Sequence, residues 1–96
     1  MVQIIWSSLA EDDMKMIYNY ISLDSSFYAE KVLAKIFERT SILESQMHIG
    51  RIVPEFENPS IRELIEENYR IIYEIFEGSS VAILRVFHRP MLLKEI

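Results

Sequence analysis

Arg51, Arg62, Arg70, Arg85 and Arg89 are the side chains of this chain best suited to grip an anion. A guanidinium offers paired donors in a rigid fork that fits a carboxylate or a phosphate. Arg62, Arg70, Arg85 and Arg89 lie in or beside runs of high β-propensity, and Glu77-Gly78-Ser79-Ser80 reads as the turn of a hairpin. Side chains alternate across a strand. With a loop of two or four residues, Tyr69, Ile71, Tyr73 and Ile75 share a face with Ala82, Leu84, Val86 and His88. The opposite face then collects Arg70, Arg85, Phe87 and Arg89 beside Ile72, Glu74 and Phe76. A three-residue loop would scatter the arginines, so their sidedness predicts an even loop. One face is core, and the other is a partly apolar surface carrying guanidinium groups.

Guanidinium groups on a sheet could serve phosphate chemistry. Displacement at a phosphate needs a base, an acid for the leaving oxygen and cations to hold the developing charge. Arg70 and Arg89 could supply the cations, with His88, Glu63 and Tyr73 as acid or base candidates. The face argument turns His88 and Tyr73 inward, where a histidine is ordinarily structural, and it leaves His48 in a loop. Glu63 reads as a solvated strand residue. Arg70 has two readings: a cross-strand ion pair with Glu63 or Glu74, or an anchor for a partner. Gly50 reads as a permissive strand entry and Arg51 as a local pair. Arg62 and Glu63 read as edge charges that discourage aggregation.

The bulk numbers bound these readings. Ninety-six residues with 50% hydrophobic content make one small domain, residues 1–96. A net charge of −5 argues against nucleic-acid binding driven by overall electrostatics. With no cysteine and only two histidines, neither a disulfide framework nor a metal cluster is expected, and no cofactor is implied. The N-terminus lacks signal-peptide character and no apolar run reaches the ~18–20 residues of a membrane span, so a cytoplasmic location and no membrane partner are expected.

The elements that must position the arginines follow from periodicity. Val2 to Trp6 reads as a strand, with Trp6 in the core. Ser8-Leu9-Ala10-Glu11 has the form of a capping box, and Ala10, Met14, Ile17 and Ile21, widened by Tyr20, give an amphipathic helix over 9–22. Asp12 and Asp13 suit its positive end. After a turn with caps at Asp24, Ser25 or Ser26, a second helix carries Ala29, Val32, Leu33, Ile36, Phe37, Thr40 and Leu43 to about residue 45. Arg51-Ile52-Val53 is a short extended run ended by Pro54. Strands follow at about 61–66, 69–77 and 81–88, the first two joined near Glu67-Asn68. The order β-α-α-β-β-β makes an α+β fold, an antiparallel sheet with an N-terminal strand and an αα-hairpin packed on one face.

Taken in order and spacing, several segments resemble the RelE/ParE toxin superfamily of bacterial toxin–antitoxin operons over nearly the whole chain. They are Ala10, Asp13, Ile17, Tyr20 and Ile21, then Ala29 and Ile36, then Gly50-Arg51, Val53-Pro54-Glu55-Phe56 and Ile61-Arg62-Glu63-Leu64. Tyr69-Arg70-Ile71-Ile72-Tyr73 and Val86-Phe87-His88 complete the set. The resemblance implies two branches: RelE-like members cleave mRNA in the ribosomal A site, and ParE-like members poison DNA gyrase. Arg70 matches the middle-strand arginine, and Arg89 falls where a C-terminal basic residue is expected. The strand lysines of RNA-cleaving members are absent from Ile61 to Leu64, and no tyrosine follows position 73 to act as a C-terminal base. Met91 stands where a ParE-like ending has a further basic residue.

The resemblance therefore implies a ParE-like toxin of a type II toxin–antitoxin system. It would inhibit DNA gyrase by protein–protein contact, without being an enzyme, and be neutralised by a cognate ParD/RelB-like antitoxin. Arg62, Arg70, Arg85, Phe87 and Arg89 are the expected target or antitoxin contacts, and a homodimer or a toxin–antitoxin hetero-oligomer is the expected assembly. The alternatives are a ribosome-dependent mRNA endoribonuclease using Arg70, Arg89 and His88, and a decayed toxin that only binds antitoxin. An antitoxin segment that folds on binding suits an apolar groove between helices and sheet. The apolar tail Pro90 to Ile96 is expected to pack on the body or on a partner.

Overall fold

Serine hydroxyls start both helices of the computed structural model, which describes residues 2–89. Helix α1 (Ser8–Ser22) is capped by Ser7, whose side chain accepts from the Ala10 N–H at 3.0 Å. The cap thus lies one residue before the expected capping box, and Glu11 is one position too late to complete it. Ser7 also donates its hydroxyl to the Leu84 carbonyl at 2.9 Å, tying the helix start to the sheet. Ser25 caps α2 (Ser26–Thr40) in the same way through Tyr28 N–H. Helix α2 stops short of residue 45, where the Thr40 hydroxyl turns back to the Phe37 carbonyl. A 3₁₀ turn, Ser41–Glu44, continues the chain and buries Leu43.

The strands are β1 (Gln3–Trp6), β2 (Arg51–Ile52), β3 (Ile61–Glu66), β4 (Tyr69–Phe76) and β5 (Ser80–His88). Their order across the sheet is β1-β5-β4-β3-β2. All neighbours are antiparallel except β1, which joins β5 in parallel, so the sheet is mixed. The β-α-α-β-β-β order is as expected, with β2 a two-residue rung on the far edge. Ala10, Met14, Val32, Ile36 and Leu43 from the helical layer bury against Leu64, Ile71, Tyr73, Ile75, Val81, Ile83 and Val86. Tyr20, expected on this stripe, is 79% exposed, and Phe37 is 52% exposed. Among the described residues, no helix is long and apolar enough to cross a membrane.

The β4–β5 hairpin corrects the even-loop expectation. Phe76 pairs with Ser80, so the loop is the three residues Glu77, Gly78 and Ser79, with Gly78 in the left-handed region at φ 79°. Near the turn Val81 and Ile83 therefore face the helices, not Ala82 and Leu84. An irregularity between Ile72 and Tyr73 then leaves Leu84 out of register and shifts the pairing by one. Beyond it Val86 faces the core opposite Ile71, and Phe87 lies opposite Arg70, as the even loop would have had it. Leu84 packs on the outer side instead, with Val53, Ile72, Phe87 and Ile61.

Tyr73 anchors the loop before β2. It is fully buried; its hydroxyl donates to the Met47 carbonyl at 2.8 Å and accepts from the Gly50 N–H at 2.9 Å. Gly50 is needed for close approach, not for unusual dihedrals. A Cβ there would come within 2.6 Å of both the Glu63 carbonyl oxygen and the Tyr73 hydroxyl.

Candidate functional site

The outer side of the sheet, away from the helices, holds a buried charge network centred on Arg70. Its Nε donates to Glu63 Oε1 at 2.6 Å, and its two terminal nitrogens grip Glu55 at 2.9 and 3.1 Å. Glu63 is only 1% exposed, which corrects its reading as a solvated residue. It sits on the Ile61–Glu63–Ile65 face of β3, opposite Ile72, and also pairs with Arg51. Glu55 arrives from the segment after β2, which Val53 pins by burying against Ile72 and Phe87. The two carboxylates, Glu55 foremost, push the Arg70 guanidinium pKa above its ordinary value against the opposing cost of burial. Both sequence readings of Arg51 and Arg70 as ion-pair partners hold for Glu63; Glu74 is not among the partners found.

Arg89 shares a cleft of about 380 Å³ with Arg70, Arg51, Glu55, Pro54 and Ile65, and donates to the Glu67 carbonyl at 3.3 Å. Phe87 is buried beside Arg70, whose guanidinium carbon lies 5.9 Å from its ring centre. Arg85 approaches the same ring at 5.8 Å but spends its donors elsewhere. Its fork closes on Asp13 of α1 at 2.8 and 2.9 Å, and Asp13 also accepts the Val86 N–H at 2.9 Å. Asp13, 3% exposed, thus serves the free edge of β5 beyond β1 and raises the Arg85 pKa. It does more than complement a helix dipole.

The remaining candidates lie apart. Arg62 is level with Tyr73 on the helix-facing side and donates to the carbonyls of Pro59, His48 and Gly50 at 3.0–3.1 Å. It is a clasp on the loops around β2, not an edge charge. His88 pairs in register with Tyr69, one residue out of phase with Arg70, so it looks to the opposite side of the sheet from Arg70. It is exposed, edge-on to Tyr69 at 5.7 Å, which corrects its placement in the core. His48 is exposed and bonded to Glu77 at 2.8 Å. The structure therefore gathers Arg70, Arg89 and Phe87, sets Arg85 at their border, and separates Arg62 and His88.

Glu55 and Asp13 escaped the sequence reading as members of this network. Asp13 had a signal: it interrupts the apolar run Ala10, Met14, Ile17 at core spacing, and a buried carboxylate there demands a cation. Glu55, in an irregular loop, had none. Among the described residues, every buried side-chain polar atom has a partner, and no group of three His, Asp or Glu side chains forms a metal site.

Two apolar clefts open on the helical side. One, of about 520 Å³, runs between α1 and the free half of β5 and is lined by Met16, Ile17, Tyr20, Tyr69, Val86 and His88. The other, of about 510 Å³, lies where α1, α2 and β1 meet, around Met14, Tyr18, Leu33 and the Trp6–Phe37 ring pair, whose centres are 4.9 Å apart. Trp6 is half-buried at this rim. The tail from residue 90, expected to cover apolar surface, lies outside the described residues.

This architecture has close counterparts. The chromosomal ParDE toxin–antitoxin system of P. aeruginosa contains a chain that superposes with a TM-score of 0.75 at 26% identity, over 92% of this chain and 96% of that one. A chain of the RelBE2 toxin–antitoxin complex of Mycobacterium tuberculosis gives a TM-score of 0.68 at 21% identity, covering 92% and 98%. A chain of the E. coli DinJ–YafQ complex shares the fold at a TM-score of 0.56 and 13% identity, covering 97% and 99%. No curated protein sequence matches this one. The family model described as the ParE toxin of the type II toxin–antitoxin system parDE matches residues 4–93, and the chain belongs to that family.

Proposed function

We propose that this ParE-family toxin acts by inhibiting DNA gyrase through protein–protein contact and is neutralised by a cognate antitoxin docked on the apolar clefts beside α1. The observation that carries the reading is the failure of the ribonuclease candidates to converge. Arg70 and Arg89 line the outer cleft, while His88 lies on the other side of the sheet and Tyr73 is buried in the core; Glu63, the acid–base candidate that does reach Arg70, is itself buried and held by Arg70 and Arg51. Arg70 is moreover charge-neutralised by two carboxylates of its own chain. An RNA phosphate would have to displace Glu55 from a bidentate grip, at the cost of exposing a second anion to the first.

Apolar surface favours a protein partner. Met16, Tyr20, Leu23, Phe27 and Tyr28 are all more than half exposed on the two helices and the turn between them, apolar surface of the kind that partners cover. The structural relatives in the ParDE system of P. aeruginosa and the RelBE2 complex of Mycobacterium tuberculosis come from assemblies named as toxin–antitoxin systems, which supports an antitoxin as one such partner.

The deciding experiment adds purified protein to a gyrase supercoiling reaction. Inhibition or trapped cleaved DNA, relieved by the product of the neighbouring reading frame, is expected. Full supercoiling at a large excess of toxin refutes the proposal. Primer extension on translating mRNA, showing new ends in the A-site frame, would establish the endoribonuclease instead. Arg89 is exposed and, among the described residues, donates from its side chain to the Glu67 carbonyl, so Arg89→Ala should keep the melting temperature and lower the potency.

A further inference from the structure

The outer cleft holds more positive charge than its own carboxylates neutralise. Arg51, Arg70 and Arg89 line its 380 Å³ together with Pro54 and Ile65. Glu63, shared by Arg70 and Arg51, and Glu55, gripped by Arg70, are the carboxylates that meet them. Among the described residues, three guanidinium groups thus face two carboxylates, and one positive charge is left over on a protein of net charge −5. The surplus lies with the exposed pair. Arg89 donates to a neutral acceptor, the Glu67 carbonyl, at 3.3 Å, while the Glu67 carboxylate is taken by Lys35 at 3.1 Å. Arg51 meets Glu63 through its Nε, and 63% of its side chain stays exposed.

We infer that this cleft is the receptor for one carboxylate side chain of the toxin's protein target, anchored on Arg89 with Arg51 lining the same cleft. The charge balance selects the ligand. One carboxylate brings the cluster to neutrality. A phosphate dianion overshoots, setting surplus negative charge beside Glu55 and the buried Glu63. A nucleic-acid strand could neutralise the cleft with one phosphodiester, but its neighbouring phosphates would lie along an acidic protein. The walls point the same way: Pro54 and Ile65 offer apolar surface to the methylene stem of a glutamate. The fork of a guanidinium matches a carboxylate, as the bidentate grip of Arg70 on Glu55 at 2.9 and 3.1 Å already shows in this cleft. The cleft opens on the outer side of the sheet, away from both apolar clefts beside α1, so its occupant belongs to the target and not to an antitoxin segment docked there. The inference rests on the proposal that the toxin acts through protein contact, and it names the chemistry which that contact recognises.

The test titrates the isolated toxin with three probes: the blocked tripeptide acetyl-Ala-Glu-Ala-amide, its Ala-Gln-Ala counterpart, and dimethyl phosphate. Binding is followed by nuclear magnetic resonance at the arginine Nε–H groups and the Ile65 methyls. The glutamate peptide should shift Arg89, Arg51 and Ile65 saturably at millimolar concentration, and should bind more weakly as salt rises. The glutamine peptide should shift none of them. Arg89→Gln should weaken the glutamate peptide roughly tenfold. Lys31→Gln, the same loss of charge at an exposed position of α2, should leave it within about twofold. Equal shifts from the two peptides overturn the inference, as do equal effects of Arg89→Gln and Lys31→Gln, or tighter binding of dimethyl phosphate than of the glutamate peptide. In the gyrase reaction Arg89→Glu should lose inhibition and still co-purify with the product of the neighbouring reading frame. A toxin that binds the glutamate peptide and leaves gyrase untouched supports the carboxylate site and refutes only gyrase as its target. A toxin that inhibits gyrase and ignores the glutamate peptide overturns the site and leaves the gyrase proposal standing.

Discussion

Replacing Arg70 by alanine should unfold much of what the outer network stabilises. Arg70 is 6% exposed and makes three charge-assisted hydrogen bonds, one to a wholly buried Glu63 and two to Glu55. Removing one partner of a buried pair typically costs 3–5 kcal/mol, because the other charge remains without it. Two features soften that here: Arg51 still neutralises Glu63, and the Glu55 side chain is 29% exposed and can rehydrate. A loss of about 3 kcal/mol follows. A chain of this length has a total stability of roughly 5–14 kcal/mol, so the change is a large fraction of the whole. The melting temperature should fall by ~12–24 °C, at ~4–8 °C per kcal/mol. Urea unfolding followed by circular dichroism would measure it. The second arm is the pair Arg70→Met with Glu63→Leu, which places apolar groups beside Ile72, Ile61 and Val53 and keeps Arg51 and Glu55 at the open cleft. Most of the lost stability should return. An Arg70→Ala protein within ~0.5 kcal/mol of wild type would refute the reasoning, as would a double variant no better than the single one. Loss of toxicity in Arg70→Ala alone therefore reports on folding, and Arg89→Ala is the variant that reports on target contact.

Other outcomes follow from the same contacts. Asp13→Ala should cost ~2–4 kcal/mol and strip hydrogen-exchange protection from the Val86 amide, since one carboxylate holds both Arg85 and that N–H. Gly50→Ala should destabilise the loop before β2 strongly, because the new methyl meets a backbone oxygen that cannot move without β3. Tyr73→Phe should cost ~1–3 kcal/mol by leaving the Met47 carbonyl and the Gly50 N–H without their shared partner, measurable by chemical denaturation.

The helices and strands were legible because their signals are local. Serine caps, the apolar positions Ala29, Val32, Leu33, Ile36 and Phe37 along α2 and the Glu67-Asn68 turn each lie within a few residues of the element they define. The parity of β5 was not legible. Val81-Ala82-Ile83-Leu84 and Ile71-Ile72 are apolar at consecutive positions, so period-two alternation is silent where the irregularity falls. The arginines' common side survived only because that irregularity cancels the odd loop. Of the site, the grouping of Arg70 with Arg89 and Phe87 came out of alternation with an even loop, and it stands because the irregularity restores that parity. The neutralisation of Arg70 by Glu55 was not legible, since nothing local fixes where an irregular loop returns. Glu63 was misread for a related reason: a carboxylate between Ile61 and Ile65 looks solvated until the segment carrying Val53 is known to cover it.

Tyr73, fully buried, and Tyr69, partly buried, make the fold sensitive to alkaline pH. Desolvation raises both phenol pKa values above the ordinary 10.0. A raised folded-state pKa means that the native protein holds its proton where the unfolded chain has lost it, so stability falls as pH rises between the two values. The stability these groups contribute is complete below about pH 10 and declines above it. Tyr73 should dominate, being fully buried with its hydroxyl bridging Met47 and Gly50, whereas Tyr69 lies at the rim of the 520 Å³ cleft. The Arg70 and Arg85 pKa values are raised in the same direction but from an already high level, so their pairs stay intact over this range. Alkaline unfolding should therefore begin at the Tyr73 loop, with early loss of exchange protection at Gly50. In Tyr73→Phe the pH dependence above 10 should flatten. If that variant keeps the wild-type slope, the alkaline transition belongs to other groups and the buried phenol is not its cause.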